Sequence, residues 1–191
     1  MKKTTLGVVL LFSVFLLGTS SFAATVWLDQ VISFDQPTGS STSGNGPTAA
    51  LGPDDNIYVS IDIPETLILA FTDNSALDGT GNDLRVREFG NDDSQASVYG
   101  SRNGADWTFL TTATSTSDQT DILIDLQSSG LGYVNYLKFE GIDNKGTSAG
   151  FDLDAVEALN SGPYVPIPST ILLLGSGLIG FIGLRRRFRK G

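Results

Sequence analysis

The chain has no cysteine and no histidine among its 191 residues, and only one methionine. Without cysteine no disulfide can staple the fold, so stability has to come from a packed core, with or without bound ions. Without either residue there is no thiol nucleophile, no Ser-His-Asp triad and no His or Cys zinc site. Basic residues are scarce through the middle of the chain. Lys2, Lys3, Arg185, Arg186, Arg187, Arg189 and Lys190 sit at the two ends, which leaves 5 of the 12 basic residues among all 21 acidic ones, a surplus of −16. Such a surface repels a phosphate backbone and argues against nucleic-acid binding. It suits solubility and divalent cations. Carboxylates alone could serve a glycosidase, but that chemistry needs two acids at a fixed separation in a cleft. Nothing in the sequence marks such a pair, and catalysis is not expected.

Long apolar runs occur only at the ends. Residues 1–23 read as a secretory signal peptide: Lys2 and Lys3 form the positive start, Leu6 to Leu17 the apolar core, and Ser21 and Ala23 are the small residues a signal peptidase accepts. That core is too short to span a bilayer comfortably, so cleavage between Ala23 and Ala24 is expected. The other end, residues 161–191, has three parts. Its proline-rich stretch, 163–170, carries Pro163, Pro166 and Pro168, spaced so that the backbone is extended. Residues 168–184 are uncharged and predict a single transmembrane helix of about 25 Å at ~1.5 Å per residue, just short of a ~30 Å hydrocarbon core. Gly175, Gly177, Gly180 and Gly183 weaken it. The basic tail, 185–190, keeps this end cytoplasmic and the acidic bulk outside.

The order Val165-Pro166-Ile167-Pro168, apolar helix, Arg185-Arg186-Arg187 resembles a PEP-CTERM sorting signal. The resemblance covers about the last 27 residues of the chain, from Val165 onward. It departs from the pattern at Ile167, where the acid between the prolines is missing. It implies an exosortase substrate of a Gram-negative-type, exopolysaccharide-making cell. Such a protein passes through the inner membrane as an anchored precursor and ends at the cell surface or in the extracellular matrix. Exosortase and signal peptidase would be its processing partners, the membrane its transient anchor.

Between the ends, period-two alternation recurs. Val26, Leu28, Ile32 and Phe34 bracket a first strand; Ile57, Val59, Ile61 and Ile63 alternate with Tyr58, Ser60 and Asp62, and Pro64 ends that strand. Further strands are predicted over 66–71, 84–89, 96–101, 107–112, 122–126, 134–140 and 151–158. Asp78-Gly79, Asn103-Gly104 and Asp143-Asn144 mark turns between them. No useful amphipathic helix is predicted. Many short strands at regular spacing predict an all-β fold, a single jelly-roll β-sandwich. Residues 24–44 supply the first strand and a Gly/Ser/Thr-rich loop, and 45–160 the sandwich itself. The run Val98 to Thr108, with Tyr133 to Phe139 and Phe151 to Val156, resembles discoidin-like, galactose-binding-like jelly rolls.

Two acid groups are metal candidates. Asp78-Gly79-Thr80-Gly81-Asn82-Asp83 puts three oxygen ligands and two glycines in six residues, a composition that suits either a hard Ca²⁺ ion or a plain turn with side chain to backbone bonds. Asp54 and Asp55 with Asp152, Asp154 or Glu157 form the second group. There the galactose-binding-like resemblance implies a structural Ca²⁺ joining an early loop to the last strand, against solvated acids on a sheet edge. Trp107 is expected in the core more readily than on a sugar platform. Arg85 and Arg87 are expected in surface ion pairs. Two functions follow. In one the domain is structural or adhesive in the envelope or biofilm. In the other it is a lectin-like module for exopolysaccharide or other glycans, which an aromatic pair projecting from the loops at one end would favour.

Overall fold

The computed structural model describes residues 26–36, 45–90, 93–143, 145 and 150–164. The expected signal sequence with Ala23 and Ala24 lies outside these, as do the Gly/Ser/Thr-rich stretch 37–44 and the tail from Val165, with Pro166, Pro168 and Arg185 to Arg187. The described residues form thirteen strands: β1 (Val26–Trp27), β2 (Gln30–Asp35), β3 (Val59–Ile61), β4 (Thr66–Ala70), β5 (Asn74–Leu77), β6 (Leu84–Gly90), β7 (Gln95–Ser101), β8 (Thr108–Thr114), β9 (Ser117–Ile124), β10 (Tyr133–Val134), β11 (Tyr136–Gly141), β12 (Phe151–Ala158) and β13 (Ser161–Pro163). Two short 3-10 turns, Pro47–Ala50 and Leu126–Ser129, are the helical pieces among the described residues. No helix there is long and apolar enough to cross a membrane.

Two five-stranded antiparallel sheets face each other. In the first, β12 lies between β6 and an edge shared by β1 and β3, with β9 beyond β6; the second runs β2-β4-β11-β7-β8. Taking β3, β4, β6, β7, β8, β9, β11 and β12 in chain order, the strands switch sheets at every step except the β7-β8 hairpin, as in a jelly roll, β3-β12-β6-β9 over β4-β11-β7-β8. A small third sheet, β10-β5-β13, closes one end. The first and last strands lie near one another, since Val26 pairs with Ala158 and β13 begins three residues beyond it.

The core is what the alternation requires. Leu67, Leu69, Val98, Leu137 and Phe139 point inward from the second sheet, and Val59, Ile61, Leu84, Val86, Phe151, Leu153 and Val156 from the first. Complete burial of a side chain of this kind is worth about 1.5–3 kcal/mol, and this core takes the place of the absent disulfides. Two close approaches admit no side chain. A Cβ on Gly141 would lie 2.3 Å from the Asp62 carbonyl oxygen, and one on Gly150, at φ +94°, would lie 2.4 Å from that of Ile61.

Several strand limits differ from expectation. The first predicted strand is two strands, because the chain changes sheets at Leu28: its amide bonds to Val156 and the next one, at Asp29, to Ala70. Ile32 sits in a bulge between Val31 and Ser33 and is 46% exposed. The alternation from Ile57 to Ile63 overstates β3, whose only partner spans Phe151 to Leu153; Ile57 and Ile63 lie beyond it and are exposed. β5 and β13 were not anticipated, and β13 carries the paired network past residue 160 to Pro163.

Candidate functional site

The outward residues of the second sheet form two rows that cross all five strands. Ser33 pairs with Ile68, Ile68 with Lys138, Lys138 with Tyr99, and Tyr99 with Phe109, one residue from each strand. Two residues further along lies a second row, Asp35, Thr66, Glu140, Ser97 and Thr112. The intervening residues, Phe34, Leu67, Phe139 and Val98, face the core, as the two-residue period of a strand demands. The first row thus sets Lys138 between Ile68 on one side and the rings of Tyr99 and Phe109 on the other, with Ser33 at its edge, and the second is all hydroxyl and carboxyl.

Lys138 organises the first row. Its Nζ lies 4.2 Å from the Tyr99 ring centroid and 5.4 Å from that of Trp107, and it donates to Glu140 Oε1 at 2.6 Å. The ion pair neutralises the one cation of the face, and the two cation–π contacts, each worth about 0.5–1 kcal/mol at such sites, fix the rings. Phe109 meets Tyr99 edge-on, at 5.6 Å and 73°, and is 51% exposed. Phe109 thus presents an exposed ring face beside half-buried Tyr99, on a strand held by its neighbours.

Trp107 is therefore not a core residue, contrary to expectation. It is half-buried at the margin of this face, directly before β8. Its hairpin is locked from within. Ser101 Oγ accepts from the amides of Asn103 and Gly104 at 3.2 and 3.0 Å, and Asn103 Oδ1 accepts from those of Ala105 and Asp106, both at 2.9 Å. Gly104 takes the left-handed conformation this turn needs, at φ +72°. Buried Asn135 ties the hairpin to the third sheet, donating to the Arg102 carbonyl at 3.2 Å.

Asp78 and Asp83 do converge, and Asp125 joins them. One carboxylate oxygen from each of the three acids lies within 4.8 Å of the others. Asp83 is fully buried and already engaged: Oδ1 accepts from the Gly79 amide at 2.7 Å and Asn160 Nδ2 at 2.8 Å, and Oδ2 from the Leu126 amide at 2.8 Å. Asn82 contributes its backbone carbonyl, which accepts from Asn160 Nδ2 at 3.2 Å. Asp78 and Asp125 are exposed, and Asp125 caps the 3-10 turn by accepting from the Gln127 amide at 2.9 Å. A calcium ion takes six to eight oxygens. Here two exposed acids and the remaining lone pair of Asp83 are on offer, so water would have to fill most of the shell.

The second acid group is dispersed among other partners. Asp154 is buried and accepts from the amides of Asp55 and Asn56 at 3.3 and 3.1 Å. The tie between early loop and last strand is thus made by direct hydrogen bonds. Burial pushes the Asp154 carboxyl up from its ordinary value; the two amides work against that, and the charges of Asp55 and Asp54 add to it. Asp152 accepts from the Ser60 hydroxyl. Asp54 bridges Arg85 and Arg87 at 3.6 and 3.3 Å. Arg85 Nε reaches Glu157 at 2.8 Å and Arg87 Nε reaches Asp121 at 3.1 Å. These two arginines are paired on the outer face of the first sheet, as expected.

One open cleft of about 520 Å³ lies elsewhere, lined by Trp27, Asp29, Leu51, Gly52, Asp73 and Asn74 among others. It lies against β1 and the start of β5. Sequence reading singled out Trp107 but missed Tyr99, Phe109 and Lys138, which lie on different strands and meet only through register.

No protein-family model and no curated protein sequence matches the chain. Similar solved structures include the CBM32 module of AlyQ in complex with 4,5-unsaturated mannuronic acid, at 11% identity and a TM-score of 0.47, covering 69% of this chain and 97% of that one. Others are CBM32-3 from a family 31 glycoside hydrolase of Clostridium perfringens (12%, TM-score 0.46, 70% and 94%) and the C-terminal domain of a chitobiase from Bacteroides fragilis (11%, 0.47, 69% and 91%). Nothing about ligand or contact residues follows from similarity of this size. The functional reading rests on the side chains of this chain.

Proposed function

We propose that this chain is an exported, exosortase-sorted protein of the cell surface or extracellular matrix whose β-sandwich binds carbohydrate, without catalysis. One observation carries the binding half: half-buried Trp107 and Tyr99, both in contact with Lys138, beside exposed Phe109 on a sheet face with an adjacent row of hydroxyl and carboxyl groups. The C–H faces of sugar rings stack on such aromatic surfaces while their hydroxyls bond at the edge. The aromatic groups lie mainly on the sheet, at the margin of which Trp107 stands, rather than projecting as a pair from the end loops.

The sorting half is supported by the tail sequence, with Val165, Pro166, Pro168 and the Arg185 to Arg187 run in signal order. A glycan array probed with residues 24–164, in calcium and in EDTA, tests binding. Specific retention of glycans in either buffer is expected. A blank array in both leaves the structural or adhesive reading, which the acidic exterior also suits. Replacing Arg185, Arg186 and Arg187 by Ala in a host with the cognate exosortase should stop maturation at the membrane-bound precursor. Unaltered processing would remove the sorting half.

A further inference from the structure

We infer that the outer face of the second sheet takes an extended, neutral polysaccharide lying across the strands, in contact with internal sugar units rather than a chain end. This rests on the carbohydrate reading above and specifies its ligand. The shape comes from the register. Ser33, Ile68, Lys138, Tyr99 and Phe109 are successive cross-strand partners, so the row runs the full width of the sheet. Four strand spacings make it about 19 Å long, enough for several linked rings end to end. A row that long is met by several linked units at once, which the internal sugars of a chain supply and a single terminal ring does not.

The chemistry comes from the pairing of rows. A sugar chain is apolar on its ring faces and polar along its edges. The row Ile68, Tyr99 and Phe109, with Trp107 beside it, offers the apolar surface, and Thr66, Ser97, Thr112 and Glu140 run parallel to it at one side. The charge comes from Lys138, whose ammonium is spent on Glu140 at 2.6 Å. Asp35 then leaves the two rows net acidic, and the surrounding domain is more so, with 5 basic residues to 21 acidic ones outside the terminal segments. Polyanions such as alginate or polygalacturonate are repelled by such a face, and a neutral chain is not.

The test uses the full chain in detergent micelles, with galactomannan, glucomannan, xylan and mixed-linkage glucan as neutral probes, alginate and polygalacturonate as anionic ones, and the constituent monosaccharides. Retardation in polysaccharide-containing native gels and titration calorimetry are the readouts. At least one neutral polysaccharide should bind, with little dependence on salt, and its oligosaccharides should gain affinity with length. Phe109→Ala should weaken binding about tenfold while lowering the melting temperature by only about 3 °C, because Phe109 is half exposed and its contact with Tyr99 contributes about 1 kcal/mol. Leu123→Ala, equally exposed on the opposite sheet, should bind as wild type. Three results overturn the inference while leaving the carbohydrate reading standing: tightest binding to a polyanion, saturation by a monosaccharide, or loss of binding in Trp27→Ala with Phe109→Ala at full strength. The last would move the ligand to the cleft. A dimer closed over this face, dissociated by Phe109→Ala, would also overturn it. Failure of every glycan to bind would refute the carbohydrate reading, and the inference with it.

Discussion

Replacing Asp83 by Ala tests whether the acid cluster is a hydrogen-bonded joint or a cation site. The carboxylate gathers three chain segments: the turn at Gly79, the 3-10 turn at Leu126 and the link from β12 to β13 at Asn160. A hydrogen bond to a charged group contributes roughly 1.5–3 kcal/mol, and a buried donor left without a partner costs about 1–3. Those terms overlap, and water reaches the Gly79 amide more easily than the buried Leu126 amide. A loss of about 3–5 kcal/mol is therefore expected, against a total stability of roughly 5–15 for a domain. At about 3 °C per kcal/mol for a domain of this size, the melting temperature should fall by about 10–15 °C. Asp83→Asn should lose about half as much, because one of its two positions must present an N–H to a donor. The assay is thermal and urea unfolding of wild type and both variants, in calcium and in EDTA. On the hydrogen-bond account, the wild-type midpoint is the same in both buffers. An Asp83→Ala loss below about 1 kcal/mol would refute the reasoning. So would a wild-type midpoint that drops on chelation, which would assign Asp78, Asp83 and Asp125 to a cation.

Two other predictions concern the fold. The Asp154 carboxyl is raised above its ordinary value of 3.8, chiefly by burial. A raised group favours the folded state fully below its unfolded pKa, and that contribution is lost as pH rises through the folded value. The stability of wild type relative to Asp154→Asn should therefore fall as pH climbs from 3.8 through that value, measured by urea unfolding across pH; a flat or rising difference would contradict this. Gly150→Ala should destabilise by about 2 kcal/mol or more, since the Cβ meets the Ile61 carbonyl and the left-handed backbone is unsuited to it. A melt within one degree of wild type would show that the segment shifts freely.

The sandwich was legible where burial on one side imposes alternation. β6, β7 and β12 lie within a residue or two of their predicted bounds, because Leu84 and Val86, Ala96 and Val98, and Phe151 and Leu153 each mark the inner face. Legibility failed where alternation and pairing part company. Ile57 and Ile63 keep the rhythm of β3 but stand beyond the end of its partner. Val26 and Leu28 keep the rhythm of a single strand while the backbone passes from one sheet to the other. β5 (Asn-Ser-Ala-Leu) gives the core only the small side chain of Ala76, and β13 (Ser-Gly-Pro) gives it none, so both carry almost no apolar signal.

The candidate site was less legible still. Its chemistry is created by register, which pairs Tyr99 with Phe109 across a bulge and sets Lys138 beside both β4 and β7. None of these residues is unusual in its own strand. Asp83 shows the converse. The turn motif from Asp78 to Asp83 was plain in the sequence, but its third acid, Asp125, is 42 positions away from Asp83 and arrives by folding. Whether such acids bond to amides or to an ion depends on what else surrounds them, and composition does not specify that.

Backbone amide chemical-shift mapping, with a neutral oligosaccharide titrated into the labelled protein, tests the carbohydrate face most directly. The account predicts shifts concentrated on β7, β8 and β11 around Tyr99, Phe109 and Lys138. Shifts confined to the cleft around Trp27 and Leu51, or none at saturating sugar, would contradict it.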